Sequence, residues 1–233
     1  MSDLDLLTAR ETSSSGKDGR LKVRTIADRL YHILREQITR GEFQDNEPIR
    51  QDILAARLGI SKIPLREALA RLEQDGLVTS LANRGFIVRP LTREEADEVF
   101  MLRLHLEPAI TAAGSEKADE DDRRIASEAL KNLEASWDAP PERWADCNRA
   151  FHLALIRPGT GLLAYNILER LHAIAERYVL LHLKPYSRRQ RATREHAEIL
   201  KLWLNREYAS IQRLTHKHIE QTRHDLVQSI TST

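Results

Sequence analysis

The chain has 233 residues, of which 30% are charged and 41% are hydrophobic, and its formal net charge is +1. That length is sufficient for one or two domains with buried cores. A single cysteine, Cys147, excludes a disulfide within the chain and suits a reducing cytoplasm. No stretch approaches the roughly 20 apolar residues that a membrane span needs, so we expect a cytoplasmic protein without membrane partners.

The charge is unevenly distributed along the chain. Residues 20–90 contain 13 lysines and arginines against 9 acidic residues, whereas residues 91–233 contain 21 against 22. A basic excess in the first third is compatible with a nucleic-acid partner, although a solvated charged face would give the same pattern.

The N-terminal third predicts an arm followed by three helices. Residues 1–20 include the polar run "ETSSSGKDG", which predicts a disordered arm. Apolar residues recur at helical spacing from Thr25 until Gly41, and this glycine is a helix stop signal. Two further helices are predicted at about residues 50–58 and 61–75.

The third helix has clear start and stop signals. Ser61 is a good N-cap, Pro64 falls in the first turn where a missing amide costs little, and Gly76 follows the last turn. The run "LVTSLANRGFIV" then offers β-prone segments at residues 77–80 and 86–88, joined by Asn-Arg-Gly. Three helices and a hairpin predict a winged helix-turn-helix over residues 21–90.

The remainder, residues 91–233, predicts an all-helical bundle. Thr92 and Glu95 form a capping-box pattern at the start of a long helix, with Gly114 as its possible stop. Further helices are expected at about residues 119–136, 141–156, 161–182, 187–204 and 207–229. The predicted fold class is therefore mainly α, with a winged helix-turn-helix followed by a helical bundle.

The third helix has the pattern of a DNA-recognition helix. Leu65, Ala68, Leu69 and Leu72 form its apolar stripe, while Lys62 and Arg66 share another face. In a helix-turn-helix the start of this helix enters the major groove, so the two cations would meet guanine edges and phosphates. The predicted DNA-contacting residues are Arg50, Ser61, Lys62, Arg66, Asn83, Arg84 and Gly85. The alternative is an ordinary charged surface on a small helical domain.

The same residues carry a family resemblance. The run "ILAARLGISKIPLREALARLEQDGLVTSLANRGFIV" resembles the DNA-binding module of the GntR family of bacterial transcription regulators, with its "LGVSRTPVREAL" segment and "NRG" wing. Lys62 stands where that family usually has arginine, which replaces a bidentate guanine contact by a point charge. The resemblance implies binding to double-stranded operator DNA.

Histidines of the second region lie in register with apolar stripes. His196 is in register with Ile199, Leu200 and Trp203, and His218 lies at the edge of another stripe. These imidazoles and His152 would point to a shared interior, where a divalent metal is a common partner. Each could instead be a hydrogen-bonded core residue. Their rival His216 points elsewhere than His218, and His172, His182 and His224 are interpreted as ordinary surface or packing residues.

The second region also resembles the FCD effector domain of FadR-like GntR regulators, through "LRLHLEPAITAAG", "NRAFHLAL" and "REHAEIL". The resemblance implies four metal ligands, Asn148, His152, His196 and His218, holding a divalent ion such as zinc or nickel. Asn148 is a weaker donor than the aspartate often found there. A metal with open positions would bind a carboxylate.

Arg103 is the predicted effector-binding residue, because it lies in register with Val99, Leu106 and Ile110 and could pair with an anion. The alternative is an i, i+4 salt bridge to Glu107.

Two functions fit these observations. We expect a ligand-responsive DNA-binding regulator, a homodimeric repressor controlled by a small carboxylic acid, because one winged helix covers only a half-site. The alternative is a metal-dependent hydrolase with a fused basic domain. A hydrolase needs a general base beside its metal water, and no "HExxH" arrangement is present, so an enzyme is not expected.

Overall fold

The computed structural model describes residues 25–39, 41–81, 85–90, 92–182 and 186–231. The predicted arm lies outside these residues, and so do Asn83 and Arg84 of the predicted wing. The chain divides into two compact units, Met1–Pro90 and Leu91–Thr233. None of the helices in the described parts combines the length and apolar character that crossing a bilayer demands.

The first unit consists of short helices and a small sheet. Its elements are α1 (Ile26–Thr39), β1 (Pro48–Ile49), α2 (Gln51–Arg57), α3 (Lys62–Gln74), β2 (Val78–Leu81) and β3 (Gly85–Val88). Helix α1 begins with a reciprocal cap, in which Thr25 N donates to Asp28 Oδ2 and Asp28 N donates to Thr25 Oγ1. The leucines of α1 and α3 form a common core with the apolar side of the sheet.

The turn between α2 and α3 depends on a glycine. Gly59 adopts a φ of +64°, a left-handed conformation that glycine tolerates at little cost. Ser61 occupies the N-cap position of α3 as predicted, but its side chain makes no capping hydrogen bond. An N-cap side chain accepts from the second or third amide of the helix, and here the third residue is Pro64, which has no N–H.

The wing is a three-stranded antiparallel sheet in the order β1, β3, β2. Val78 pairs with Val88 and Leu81 pairs with Gly85, which gives the predicted hairpin. The sequence did not predict β1, whose two residues pair with Ile87 and Phe86 of β3. The predicted winged helix-turn-helix is confirmed.

The second unit is a helical bundle. Its helices are α4 (Arg93–Lys117), α5 (Glu120–Ala135), α6 (Pro141–Ile156), α7 (Leu162–His182), α8 (Tyr186–Leu204) and α9 (Tyr208–Thr231), with a 3-10 turn at Arg157–Gly159. Helix α4 packs along α9 and also contacts α6, α7 and α8. Residues on its inner side therefore face several helices at once.

The predicted stop of α4 at Gly114 is wrong, because the helix continues to Lys117. Gly114 has another role. A Cβ atom added there would lie 2.2 Å from the carbonyl oxygen of Leu155, so the glycine permits close packing of α4 against α6. The predicted cap at the other end is present, since Thr92 accepts a hydrogen bond from Glu95 N.

Candidate metal centre and nucleic-acid interface

Three histidines from three helices meet inside the bundle. His152 of α6, His196 of α8 and His218 of α9 are all buried, and they present nitrogen atoms that lie within 4.8 Å of one another. The Nε2 atoms of His196 and His218 are 3.2 Å apart. The apolar register of His196 and His218 predicted that these two side chains face the interior, where the structure places them together with His152.

Two carboxylates orient these imidazoles. Glu195 Oε2 lies 2.7 Å from His218 Nδ1, and Glu107 Oε1 lies 3.3 Å from His152 Nδ1. Because Nδ1–H of His218 and of His152 is donated to a carboxylate, the Nε2 lone pair of each ring remains available to a ligand in the space between the histidines. Carboxylates behind metal-binding histidines commonly fix the tautomer in this way.

Two of the buried imidazoles, His152 and His196, are held in their neutral form. Burial lowers the pKa of His152 to about 3, although its contact with Glu107 opposes the shift. Burial, together with the neighbouring His218 and His152, also lowers the pKa of His196 well below its ordinary value. Neutral imidazole is the form that binds a metal, so the chemistry of this donor set fits a divalent ion.

A small cavity of about 20 Å³ adjoins the histidines. Its polar lining is Arg103, Trp144, Asn148, His152, His218 and Thr222, and its apolar lining is Phe100, Val179, Ala192 and Ile219. Asn148 is half-buried one turn before His152, so its amide borders the same space as the imidazoles. Three of the four predicted ligands, Asn148, His152 and His218, line this cavity, and the fourth, His196, lies beside His218.

Arg103 lines this cavity and also forms the salt bridge to Glu107 that was predicted as the alternative to effector binding. Its Nε and Nη2 atoms donate to Glu107 over 2.8 and 3.3 Å. Burial alone would raise the pKa of Glu107, but Arg103 and two histidines hold it well below its usual value. Glu107 is completely buried and therefore depends on these partners for its charge.

His172 belongs to this polar cluster, which the sequence interpretation missed. It is 3% exposed, and its Nε2 lies 3.2 Å from Glu107 Oε2 without hydrogen-bond alignment. A signal was available, since His172 lies in register with the buried residues Leu168 and Ala175 on α7. His216, the rival of His218, is exposed.

The predicted DNA-contacting residues that the structure describes lie on the surface of the first unit. Arg50, Ser61, Lys62 and Arg66 are exposed. Lys62 forms an ion pair with Asp52 of α2, a contact between two helices that the sequence did not predict. Gly85 begins β3 with a φ of +79°, so the wing re-enters the sheet through a glycine-favoured conformation.

This combination of a winged helix-turn-helix and a helical bundle with an internal histidine cluster defines a class of DNA-binding transcription regulators. Residues 26–88 match the bacterial regulatory proteins of the gntR family, and residues 98–221 match the FCD domain. The chain belongs to the GntR family and carries an FCD domain.

Individual relatives agree with this assignment. The chain is 31% identical over 160 residues to the HTH-type transcriptional repressor GlaR of Escherichia coli (strain K12), covering 66% of this chain and 72% of that protein. It is 28% identical over 172 residues to the HTH-type transcriptional regulator YdhC of Bacillus subtilis (strain 168), covering 73% and 77%.

Solved structures share the fold. The E. coli McbR/YncC structure superposes with a TM-score of 0.73 at 20% identity, covering 88% of this chain and 98% of that one. A GntR regulator from Rhodococcus sp. RHA1 gives a TM-score of 0.72 at 20% identity, covering 87% and 97%.

Proposed function

We propose that this regulator is a homodimeric repressor whose operator affinity is changed by a small carboxylic acid bound at a metal ion in the helical domain. The observation that carries the proposal is the convergence of His152, His196 and His218 beside a cavity that Arg103 and Asn148 line. Imidazole-rich sites suit zinc and nickel, which are the proposed ions.

The residues present fit such an ion. His152, His196 and His218 would supply three nitrogen ligands and Asn148 an amide oxygen. Glu107 and Glu195 would hold two of the rings in position. When bound, the ion would offer open coordination positions to a carboxylate oxygen.

Two further side chains could bind the acid. Arg103 has five N–H donors and gives two of them to Glu107, which leaves donors for an anion. Trp144 is 1% exposed, lines the cavity, and has an Nε1–H with no acceptor among the described residues. Buried N–H groups are normally paired, so a ligand oxygen is a favourable partner for this one.

The proposal that the protein is a repressor and the proposal that it is a dimer rest on different arguments. The related GlaR is named a repressor. Dimerisation is proposed because two half-sites give a palindromic operator and an affinity beyond that of one module.

A metal-dependent hydrolase is less well supported. Its general base would have to lie near the metal with a carboxylate free to take a proton. Glu107 is already engaged by Arg103, His152 and His172, and Glu195 accepts from His218. These roles are structural rather than catalytic.

Thermal unfolding tests the metal and the acid separately. Full-length protein is stripped with a chelator, reconstituted with zinc or nickel, and heated with and without a series of small carboxylic acids. An acid at 100 times its dissociation constant should stabilise the protein by about 2.7 kcal/mol, which corresponds to a rise of roughly 5 to 10 °C.

The chain offers a matched pair of histidine variants as the control. His218→Ala should abolish metal retention by elemental analysis and the acid-dependent rise, whereas His216→Ala, two residues away and exposed, should keep both. Equal metal content in the two variants would contradict the proposed centre. An acid response that survives metal removal would contradict the metal as the acid's ligand.

A further inference from the structure

Helix α3 presents a mixed face to solvent. Its exposed residues up to the third turn are Lys62, Ile63, Arg66, Glu67 and Ala70, and its buried residues are Leu65, Ala68, Leu69 and Leu72. Ile63 is 70% exposed. An isoleucine so exposed lies among the residues of a recognition helix that point away from the core.

The helical geometry places Ile63 at the centre of this face. With 3.6 residues per turn, Ile63 projects about 170° around the helix from the middle of the buried stripe. Arg66 projects about 110° from that middle, and Lys62 about 70°. Ile63 therefore points most directly outward, while the two cations lie towards one side.

The surroundings of Ile63 favour DNA as the partner of this surface. Arg66 lies one turn further along and Lys62 directly before it, both exposed, which complements the charge of a phosphate backbone. Lys62 is engaged by Asp52 of the preceding helix. The residue at the centre of the face is therefore an apolar side chain, with the two cations to one side of it.

One apolar group is available in the major groove. Thymine carries its C5-methyl there, and apolar side chains recognise this base by packing against it. Isoleucine suits the task because its branched side chain has one strongly preferred χ1 rotamer in a helix, so little freedom is lost on binding.

We propose that Ile63 is a specificity-determining residue of the DNA-binding unit, which selects a thymine by contact with its 5-methyl group. Ala70 lies two turns later in the same outward sector and is too short to fill the same space. The inference requires DNA binding by α3 and is independent of the metal and of the acid.

Uracil substitution isolates the methyl group, because uracil pairs as thymine does and lacks only that group. An operator is first selected from random duplexes with the full-length protein, and each thymine is then replaced by uracil in turn. Wild-type affinity should fall roughly fourfold for each contacted methyl removed, the value expected for one buried carbon group.

Two variants complete the test. Ile63→Ala should bind the thymine and uracil duplexes equally at that position. Ile26→Ala removes an isoleucine of α1 that is 54% exposed and should keep the wild-type preference. Both substitutions are at the surface, so the fold should tolerate them.

Each contrary outcome is distinct. If wild-type protein is indifferent to uracil at every thymine, or if Ile63→Ala retains the wild-type uracil sensitivity, the inference is overturned. If selection yields no preferred sequence, sequence reading by α3 fails as a whole, and the inference fails with it. Metal content and acid response do not enter any of these outcomes.

Discussion

Replacing Glu107 by glutamine should destabilise the helical domain strongly. Glu107 is completely buried and receives two hydrogen bonds from Arg103, which is itself 4% exposed. Glutamine has nearly the same volume, so the substitution leaves no cavity but removes the charge. The guanidinium of Arg103 would then be buried without a counter-ion.

The magnitude follows from the cost of an uncompensated buried charge. Removing one partner of a buried ion pair typically costs about 3 to 5 kcal/mol. For a unit of this size each kcal/mol lowers the melting temperature by about 2 to 4 °C, so a decrease of roughly 6 to 20 °C is expected. Because Glu107 also orients His152, metal affinity should fall about 10- to 100-fold.

Urea denaturation of the metal-free protein measures the first effect, and metal titration measures the second. Glu116→Gln is the control, since Glu116 is an exposed glutamate of the same helix and should change stability by less than about 0.5 kcal/mol. The double variant Arg103→Met, Glu107→Gln should regain much of the loss, because neither charge remains. A Glu107→Gln variant as stable as the control would refute this reasoning.

Three further predictions concern other parts of the chain. Arg66→Ala should weaken operator binding by about 1 to 3 kcal/mol and relax sequence preference, as measured by titration of operator and scrambled duplexes. Hydrogen bonds from Thr25, together with Arg71, lower the pKa of Asp28 from 3.8 to about 2. The stabilisation that the ionised Asp28 carboxylate provides is therefore complete above about pH 4 and is lost as the pH falls towards 2. The urea midpoint of Asp28→Asn should consequently vary less than that of the wild type between about pH 4 and pH 2. Tyr178 Oη accepts a hydrogen bond from Thr92 N. Tyr178→Phe should therefore accelerate amide hydrogen exchange at the start of α4 and lower the free energy of unfolding by about 1 to 3 kcal/mol. Unchanged exchange at the start of α4 would contradict this role.

Local signals predicted most of the fold because they act within a few residues. Helix α6 was predicted at residues 141–156, the observed range, since Pro141 suits a first helical position. Gly114 misled the prediction because its role is close packing against Leu155, a contact from another helix. Strand β1 is only two residues long and exists through pairing with β3, so it has no periodicity of its own.

The candidate site was predicted only in part from the sequence. Register with apolar stripes predicted that His196 and His218 face inward, since burial of a helix face follows its periodicity. The carboxylate that supports His218 comes from Glu195 on a neighbouring helix, and interhelical pairing of this kind has no local signal. For Arg103 the sequence left two interpretations; the structure shows the salt bridge to Glu107 and the side chain at the cavity, and effector binding by Arg103 stays a prediction.

Operator affinity measured with and without acid, on metal-loaded and metal-free protein, tests the central claim most directly. Metal-loaded wild type should change its affinity roughly 5- to 150-fold when a recognised acid binds, the range of typical coupling energies. Metal-free wild type and His196→Ala should bind the operator in the absence of acid but show no change when it is added. An acid response of equal size in metal-free protein or in His196→Ala would contradict the metal-centred account.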